Sequence, residues 1–298
     1  MKSLREKLNI STTAFLLILT LGAAVFAQTN EEKLAAANKT LDEAKALFQQ
    51  GTAESYQAAK EKFCAAADLF AVAEDKQNQA VSMLAAGTIA SNSGDYVAAL
   101  QIYIRVLPLL TATDNDLGAI TFNNIGSVYN ELGEKQKALD YYTLALPMLP
   151  PINNEIRWKR AETLTQIGPI HFVLGAKQKA LNYYRETLML YRTIGDEAGE
   201  AETLSNVGAV YDSLDDKQQA LDYYSRALEF FRTAKNKTNE AQMLNNIGAI
   251  YYASGEQEKA LEYLQQSLSL SKTTGNKSQQ ANTLDWLKAY WNSLKKPR

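Results

Sequence analysis

The stretch NNIGAIYYASG, residues 245–255, decides the fold because close copies of it recur along the chain. The copies are NNIGSVYNELG at 123–133, TQIGPIHFVLG at 165–175 and SNVGAVYDSLD at 205–215. Self-similarity at a period of roughly 20–50 residues is the sequence signature of a repeat architecture. The shared glycine recurs at intervals of 39, 42, 40 and 40 residues, as Gly87, Gly126, Gly168, Gly208 and Gly248.

Each copy is typical of two antiparallel helices. In the copy around Gly126, the apolar residues Phe122 and Ile125 share one helical face with the glycine and with Tyr129. Seven residues after the glycine a second turn residue predicts the end of the first helix, since glycine tolerates a positive φ. The turn residues are Gly94, Gly133, Gly175, Asp215 and Gly255. An alanine five residues later opens the second helix, at Ala99, Ala138, Ala180, Ala220 and Ala260.

These residues resemble the tetratricopeptide repeat, whose pattern is W-x2-L-G-x2-Y followed by A-x3-F. The tryptophan position is held here by Met83, Phe122, Leu164, Leu204 and Leu244. The units resemble the longer, roughly 40-residue repeats of kinesin light chain and of many bacterial arrays. The resemblance implies an all-α, right-handed superhelical solenoid of antiparallel helix hairpins. The small Gly and Ala residues predict a close approach of the two helices, where a larger side chain would overpack.

The predicted organisation is a signal peptide at residues 1–27 and a single repeat solenoid at residues 28–298. A C-terminal capping helix is expected because Lys288 stands at the glycine position, where a lysine prevents close packing of another helix. The predicted helical pairs span about 31–72, 77–110, 116–149, 157–192, 198–233 and 238–272, and the cap spans 278–295. Pro169, directly after a repeat glycine, predicts a local bend in its helix.

The N-terminus has the three parts of a secretory signal peptide. Basic residues precede an uncharged run from Ala14 to Ala27, which ends on Val25-Phe26-Ala27. The run is 14 residues long, shorter than the roughly 20 that a spanning helix needs. Cleavage after Ala27, export to the periplasm or the extracellular space, and no stable membrane insertion are therefore expected. A retained anchor is the alternative.

The charge balance predicts no nucleic-acid partner. Residues 1–27 hold three basic residues and one acidic residue, so 28 of the 31 Lys and Arg residues and 32 of the 33 Asp and Glu residues remain in the mature chain. An acidic chain does not attract phosphates. Cys64 is the only cysteine, so an internal disulfide cannot form.

The sequence predicts no enzyme, with no catalytic residue, metal or cofactor. His171 is the only histidine, and it stands where other copies carry a tyrosine, which favours a packed ring. The chain contains no GxSxG, HExxH, P-loop or CxxC string. The alternative, a hydrolase or transferase, requires a site built around His171 or Cys64.

The resemblance also implies a concave groove, lined by the first helices of successive hairpins, in which a peptide lies. Amide side chains two residues before the repeat glycine offer donors and acceptors to such a peptide. The predicted groove residues are Asn123, Asn124, Asn130, Gln166, Asn206, Asn245, Asn246 and Tyr252. The alternative is that these amides bond only to water or to neighbouring helices.

The resulting hypothesis is an exported, non-catalytic scaffold that binds a protein or peptide segment. Two alternatives remain open. A repeat array could act as a sensor that changes curvature when a ligand binds, because small changes in each repeat add along the array. Self-association could involve the aromatic residues near the C-terminus, Trp286, Tyr290 and Trp291.

Overall fold

The computed structural model describes residues 12–111 and 113–294, with side chains described from residue 29 to residue 292 apart from residue 112. Over these residues the chain forms α-helices and two short 3-10 helices, and it contains no strand. It divides into two compact units, residues 1–148 and 149–298. Residues 1–11 of the predicted signal peptide lie outside the described residues, and the backbone of residues 12–27 belongs to the first helix.

The first unit contains three helix pairs in succession. Its helices are α1 (Thr12–Gln49), α2 (Ala53–Val72), α3 (Lys76–Asn92), α4 (Tyr96–Val106), α5 (Asn115–Glu131) and α6 (Lys135–Ala145). α1 packs on α2, α3 on α4 and α5 on α6. α1 begins at Thr12, well before the helix start that the pattern predicts at residue 31.

The second unit contains three further pairs and one additional helix. Its helices are α7 (Asn154–Val173), α8 (Lys177–Ile194), α9 (Glu197–Ser213), α10 (Lys217–Thr233), α11 (Lys237–Ala253), α12 (Gln257–Thr274) and α13 (Lys277–Leu294). α7 packs on α8, α9 on α10, and α11 on α12, while α13 packs on α12. The predicted all-α fold of consecutive hairpins is confirmed. Odd-numbered helices are called first helices below, and even-numbered ones second helices.

Each repeat glycine lies against a side chain 16 residues later, on the second helix of its own hairpin. A Cβ atom added to Gly168 would lie 2.4 Å from Cε1 of Tyr184, and one added to Gly208 would lie 2.8 Å from Cδ1 of Tyr224. The five alanines that begin the second helices are completely buried. The predicted close approach therefore occurs, with a tyrosine ring filling the space beside four of the five glycines.

The turns within the hairpins have the predicted left-handed backbone. Gly175 has a φ of 78° and Asp215 a φ of 60°. Aspartate reaches this region at a cost that glycine does not have. The Asp215 position thus confirms that the backbone geometry of the turn is retained when its glycine is replaced.

Proline shortens the second helices of the first unit. α4 and α6 have 11 residues each and continue into 3-10 turns at Leu107–Leu109 and Leu146–Met148, which contain Pro108 and Pro147. Proline lacks the N–H that an α-helix requires at an interior position. α7, by contrast, continues through Pro169 to Val173. The bend at Pro169 stays a prediction.

The last helix, α13, has the features expected of a cap. Lys288 is exposed at the glycine position, and its Nζ lies 3.0 Å from Oδ1 of Asp285. Leu287 and Tyr290 are buried against the array. In the part of the chain that the structure describes, no helix combines the length and apolar character needed to cross a membrane.

Candidate functional site

A polar pocket opens between the first helices α9 and α11 of the second unit. Helical spacing places Glu202, Ser205 and Asn206 on one face of α9, since residues three and four apart are neighbours on a helix. Asn239 and Gln242 approach from α11. The pocket has a volume of about 240 Å³.

The base of this pocket is apolar and its walls are polar. Phe231, at the end of α10, and Met243 are both buried and line the pocket. The walls carry amide, hydroxyl and carboxylate groups, which together can donate to and accept from a peptide backbone. Glu202 is the only charged side chain in the lining. The pocket therefore suits a neutral or positively charged segment.

A second pocket of about 430 Å³ adjoins the first and shares Glu202 and Phe231 with it. Its other walls include Ala198, Phe230 and Asn236. The Asn236 side chain accepts a hydrogen bond from the backbone N–H of Asn239 at 3.2 Å and so caps α11. The two pockets together offer an apolar recess beside a polar strip.

Asn206 is the predicted groove residue that the structure places in this pocket, and the others in the second unit have different surroundings. Gln166 is exposed on α7. Asn245 is only 8% exposed, and its Oδ1 is buried without a hydrogen-bond partner among the described residues. The Tyr252 hydroxyl donates to the backbone oxygen of Ala289 on the cap at 3.2 Å. A partner reaches Asn245 or Tyr252 only if neighbouring groups move.

Asn246 lies beside a buried tyrosine. Burial, and then the charge of Asp212, raise the pKa of Tyr224, and its interaction with Asn246 offsets part of that rise. This position gives Asn246 a contact within the hairpin core as well as a half-buried place on α11.

The predicted groove residues of the first unit lie on α5. Asn123 and Asn124 are half-buried there. Asn130 ends the same helix, and its Oδ1 accepts a hydrogen bond from Nζ of Lys135 at 2.7 Å. Lys135 also donates to the backbone oxygen of Asn130 at 3.1 Å, which satisfies a carbonyl at the helix end. Asn130 thus has a structural contact whether or not it meets a partner.

Four pocket residues were missed by sequence reasoning: Glu202, Asn239, Gln242 and Phe231. A signal for two of them is present in the repeat. Glu202 and Gln242 each stand six residues before a repeat glycine and four before an asparagine of the predicted groove. Residues four apart share a helical face, so extending the pattern by one turn would have identified them.

The two residues on which an enzyme would depend are packed in helical contacts. The His171 ring stacks on Tyr183 with centroids 5.1 Å apart, as tyrosines do at this position in the next two hairpins. Burial, and then the charge of Lys179, lower the pKa of His171. Burial, and then Asp68, raise the pKa of the Cys64 thiol. Among the described residues, no three His, Cys, Asp or Glu side chains are grouped so as to hold a metal.

Comparison with protein families identifies the repeats. A family described as tetratricopeptide repeat matches residues 79–150 and 159–233, and a second family with the same description matches residues 241–274. Together these segments cover more than half of the chain. No curated protein sequence matches the chain.

Several solved structures are similar in fold. BtubC (BKLC) from P. vanneervenii is 23% identical with a TM-score of 0.57, over 83% of this chain and 92% of that one. The apo form of RapI is 16% identical with a TM-score of 0.66, over 72% of this chain and 83% of that one. YrrB, described as a TPR protein with an unusual peptide-binding site, is 19% identical with a TM-score of 0.52, over 74% of this chain and 99% of that one. At these identities the likeness shows the fold alone.

Proposed function

Because this chain belongs to the tetratricopeptide repeat family, we propose that it is a non-catalytic scaffold that binds a peptide or protein segment between its first helices. The observation that carries the proposal is the pocket between α9 and α11, where Asn206 and Gln242 stand above Phe231 and Met243. An extended segment has unpaired backbone N–H and C=O groups, and amide side chains can satisfy both kinds. The peptide-binding site in YrrB's description is consistent with this use of the fold.

The direction of the chemistry follows from the pocket lining. The amides hold the backbone of the segment, the adjoining recess beside Phe230 accepts an apolar side chain, and Glu202 favours a positive charge nearby. Each amide hydrogen bond contributes about 1 kcal/mol net, so several such contacts are needed for specific binding. The binding energy is thus expected to come from a short continuous segment and not from one anchor residue.

The binding site is tested by removing the two pocket amides together. We expect the Asn206→Ala/Gln242→Ala double variant to bind its partner about tenfold more weakly than the unaltered protein, because two hydrogen bonds of about 1 kcal/mol are lost. The partner is first captured from an exported fraction with the full chain, identified by mass spectrometry, and then titrated against each protein by calorimetry.

The matched control removes two amides that lie elsewhere. Gln218 and Gln265 are exposed on the second helices α10 and α12. The Gln218→Ala/Gln265→Ala variant is expected to retain the partner at the affinity of the unaltered protein. Equal affinity for both double variants would show that binding uses another surface.

We also propose export with removal of residues 1–27. The support is the basic start, the 14-residue uncharged run and the Val25-Phe26-Ala27 ending. N-terminal sequencing of the protein from the exported fraction of a bacterial host is expected to begin at Gln28. A chain recovered only in the membrane fraction and starting at its first residues would favour the retained anchor.

A further inference from the structure

A second pocket of the second unit lies between the second helices α8 and α10, on the opposite element set from the proposed peptide groove. Three arginines line it: Arg185 and Arg192 from α8, and Arg226 from α10. Leu188, Met189 and Tyr223 provide an apolar part of the lining. The volume is about 430 Å³, large enough for a few side chains. This concentration of positive charge is unexpected in a chain whose net charge is −2.

The guanidinium groups keep unused donors. Arg192 donates its Nε to Oε1 of Glu200 at 2.7 Å. Arg185 reaches only the amide oxygen of Asn182, at 3.3 Å. Arg226 lies 3.6 Å from Oδ2 of Asp222, beyond hydrogen-bonding distance, and its guanidinium stands 5.5 Å from the centroid of the Tyr223 ring. Each guanidinium has five N–H donors, so the cluster retains capacity for external acceptors.

The cluster is not a consequence of the repeat. Forty residues after Arg185 stands Ser225, and forty after Arg226 stands Gln266. Of the equivalent positions on α10 and α12, only Arg232 and Lys272 are basic, at the positions that correspond to Arg192. Arg232 donates to Oε1 of Glu240 at 3.1 Å, just as Arg192 does to Glu200. Arg185 and Arg226 are therefore additions to a shared ion pair, and they give this pocket its charge.

We propose that this pocket is a second docking site, which binds an acidic segment of a partner protein. Guanidinium groups pair with carboxylates through two parallel hydrogen bonds, and three of them around one pocket match carboxylates on successive residues. Met189 is 60% exposed beside them and offers a surface for an apolar side chain of the same segment. A lone phosphate ion or a lipid headgroup has no group that would use this apolar part, so a peptide fits the lining best.

The test uses the full chain and a short fluorescein-labelled peptide that carries a leucine between paired aspartates and glutamates. Binding is followed by fluorescence anisotropy at low and at physiological salt. We expect Arg185→Gln/Arg226→Gln to weaken binding about tenfold or more, because charge-assisted hydrogen bonds are lost. We expect Arg232→Gln, which alters the corresponding ion pair outside the pocket, to leave the affinity unchanged. Circular dichroism of each variant verifies that the helices are retained.

Three results would overturn the proposal. One is equal affinity of the double variant and the unaltered protein. Another is equal binding of the peptide in which the acids are replaced by asparagine and glutamine. The third is full displacement of the peptide by millimolar inorganic phosphate, which would make the pocket a site for single anions. The Asn206→Ala/Gln242→Ala variant should bind the acidic peptide normally, so failure of this proposal and failure of the peptide groove are distinguishable.

Discussion

Replacing Tyr184 by alanine is expected to lower the free energy of unfolding by about 3–5 kcal/mol, the range for removing a large buried ring. The side chain is 1% exposed and lies against Gly168, so its loss leaves a cavity between α7 and α8. Neighbouring side chains can fill that space only partly, since both helices are also held by adjacent pairs. Urea unfolding followed by circular dichroism measures the change.

The control for this prediction is Tyr184→Phe, which keeps the ring and removes only the hydroxyl. Burial raises the pKa of the Tyr184 hydroxyl, so this group is shielded from water, and its removal is expected to change stability by no more than about 1 kcal/mol. If alanine proves no more destabilising than phenylalanine, the ring is not what holds the α7–α8 hairpin together.

Gly87→Val is expected to destabilise the first unit by about 3 kcal/mol, the upper part of the range for overpacking a core. A Cβ on Gly87 would lie 2.4 Å from Cε1 of Tyr103, and valine adds two further methyl groups. Valine is a slightly better helix former than glycine, by a few tenths of a kcal/mol, which is too little to offset the clash. Thermal unfolding of the purified full chain measures the loss.

A double-mutant cycle separates the clash from other effects of valine. Gly248 faces Leu264 in place of a tyrosine, so the fold accepts leucine opposite a repeat glycine. Gly87→Val combined with Tyr103→Leu should therefore lose less stability than the sum of the two single changes. Strict additivity would mean that the valine and the ring do not compete for the same space.

How far the sequence predicts the structure differs between the hairpin and the site. The turn at Asp215 was predictable because seven residues separate it from Gly208, like the glycines that take its place in other copies. The partner of the glycine was not. Sequence reasoning paired Gly168 with Ala180, whereas the ring of Tyr184, four residues further along the same face of α8, fills the space beside it. Helical spacing is compatible with either contact, and only packing distinguishes them.

The candidate site shows the same division. The position of Asn206 on the exposed face of α9 followed from its offset to Gly208. The same offset predicted equivalent roles for Asn246, which contacts Tyr224. The neighbouring offset predicted one for Asn245, which is buried. Identical positions in a repeat thus acquire different surroundings, because the residues packed against them differ from one hairpin to the next.

The recurring glycines, turn residues and alanines by themselves determined that this chain is a succession of antiparallel helix hairpins, because helical periodicity and turn geometry act over a few residues. Only the tertiary structure decided which side chains share a pocket. Asn206 meets Gln242, and Arg185 meets Arg226, across about 40 residues of chain. Such meetings depend on how neighbouring hairpins pack, and no local pattern in the sequence specifies that packing.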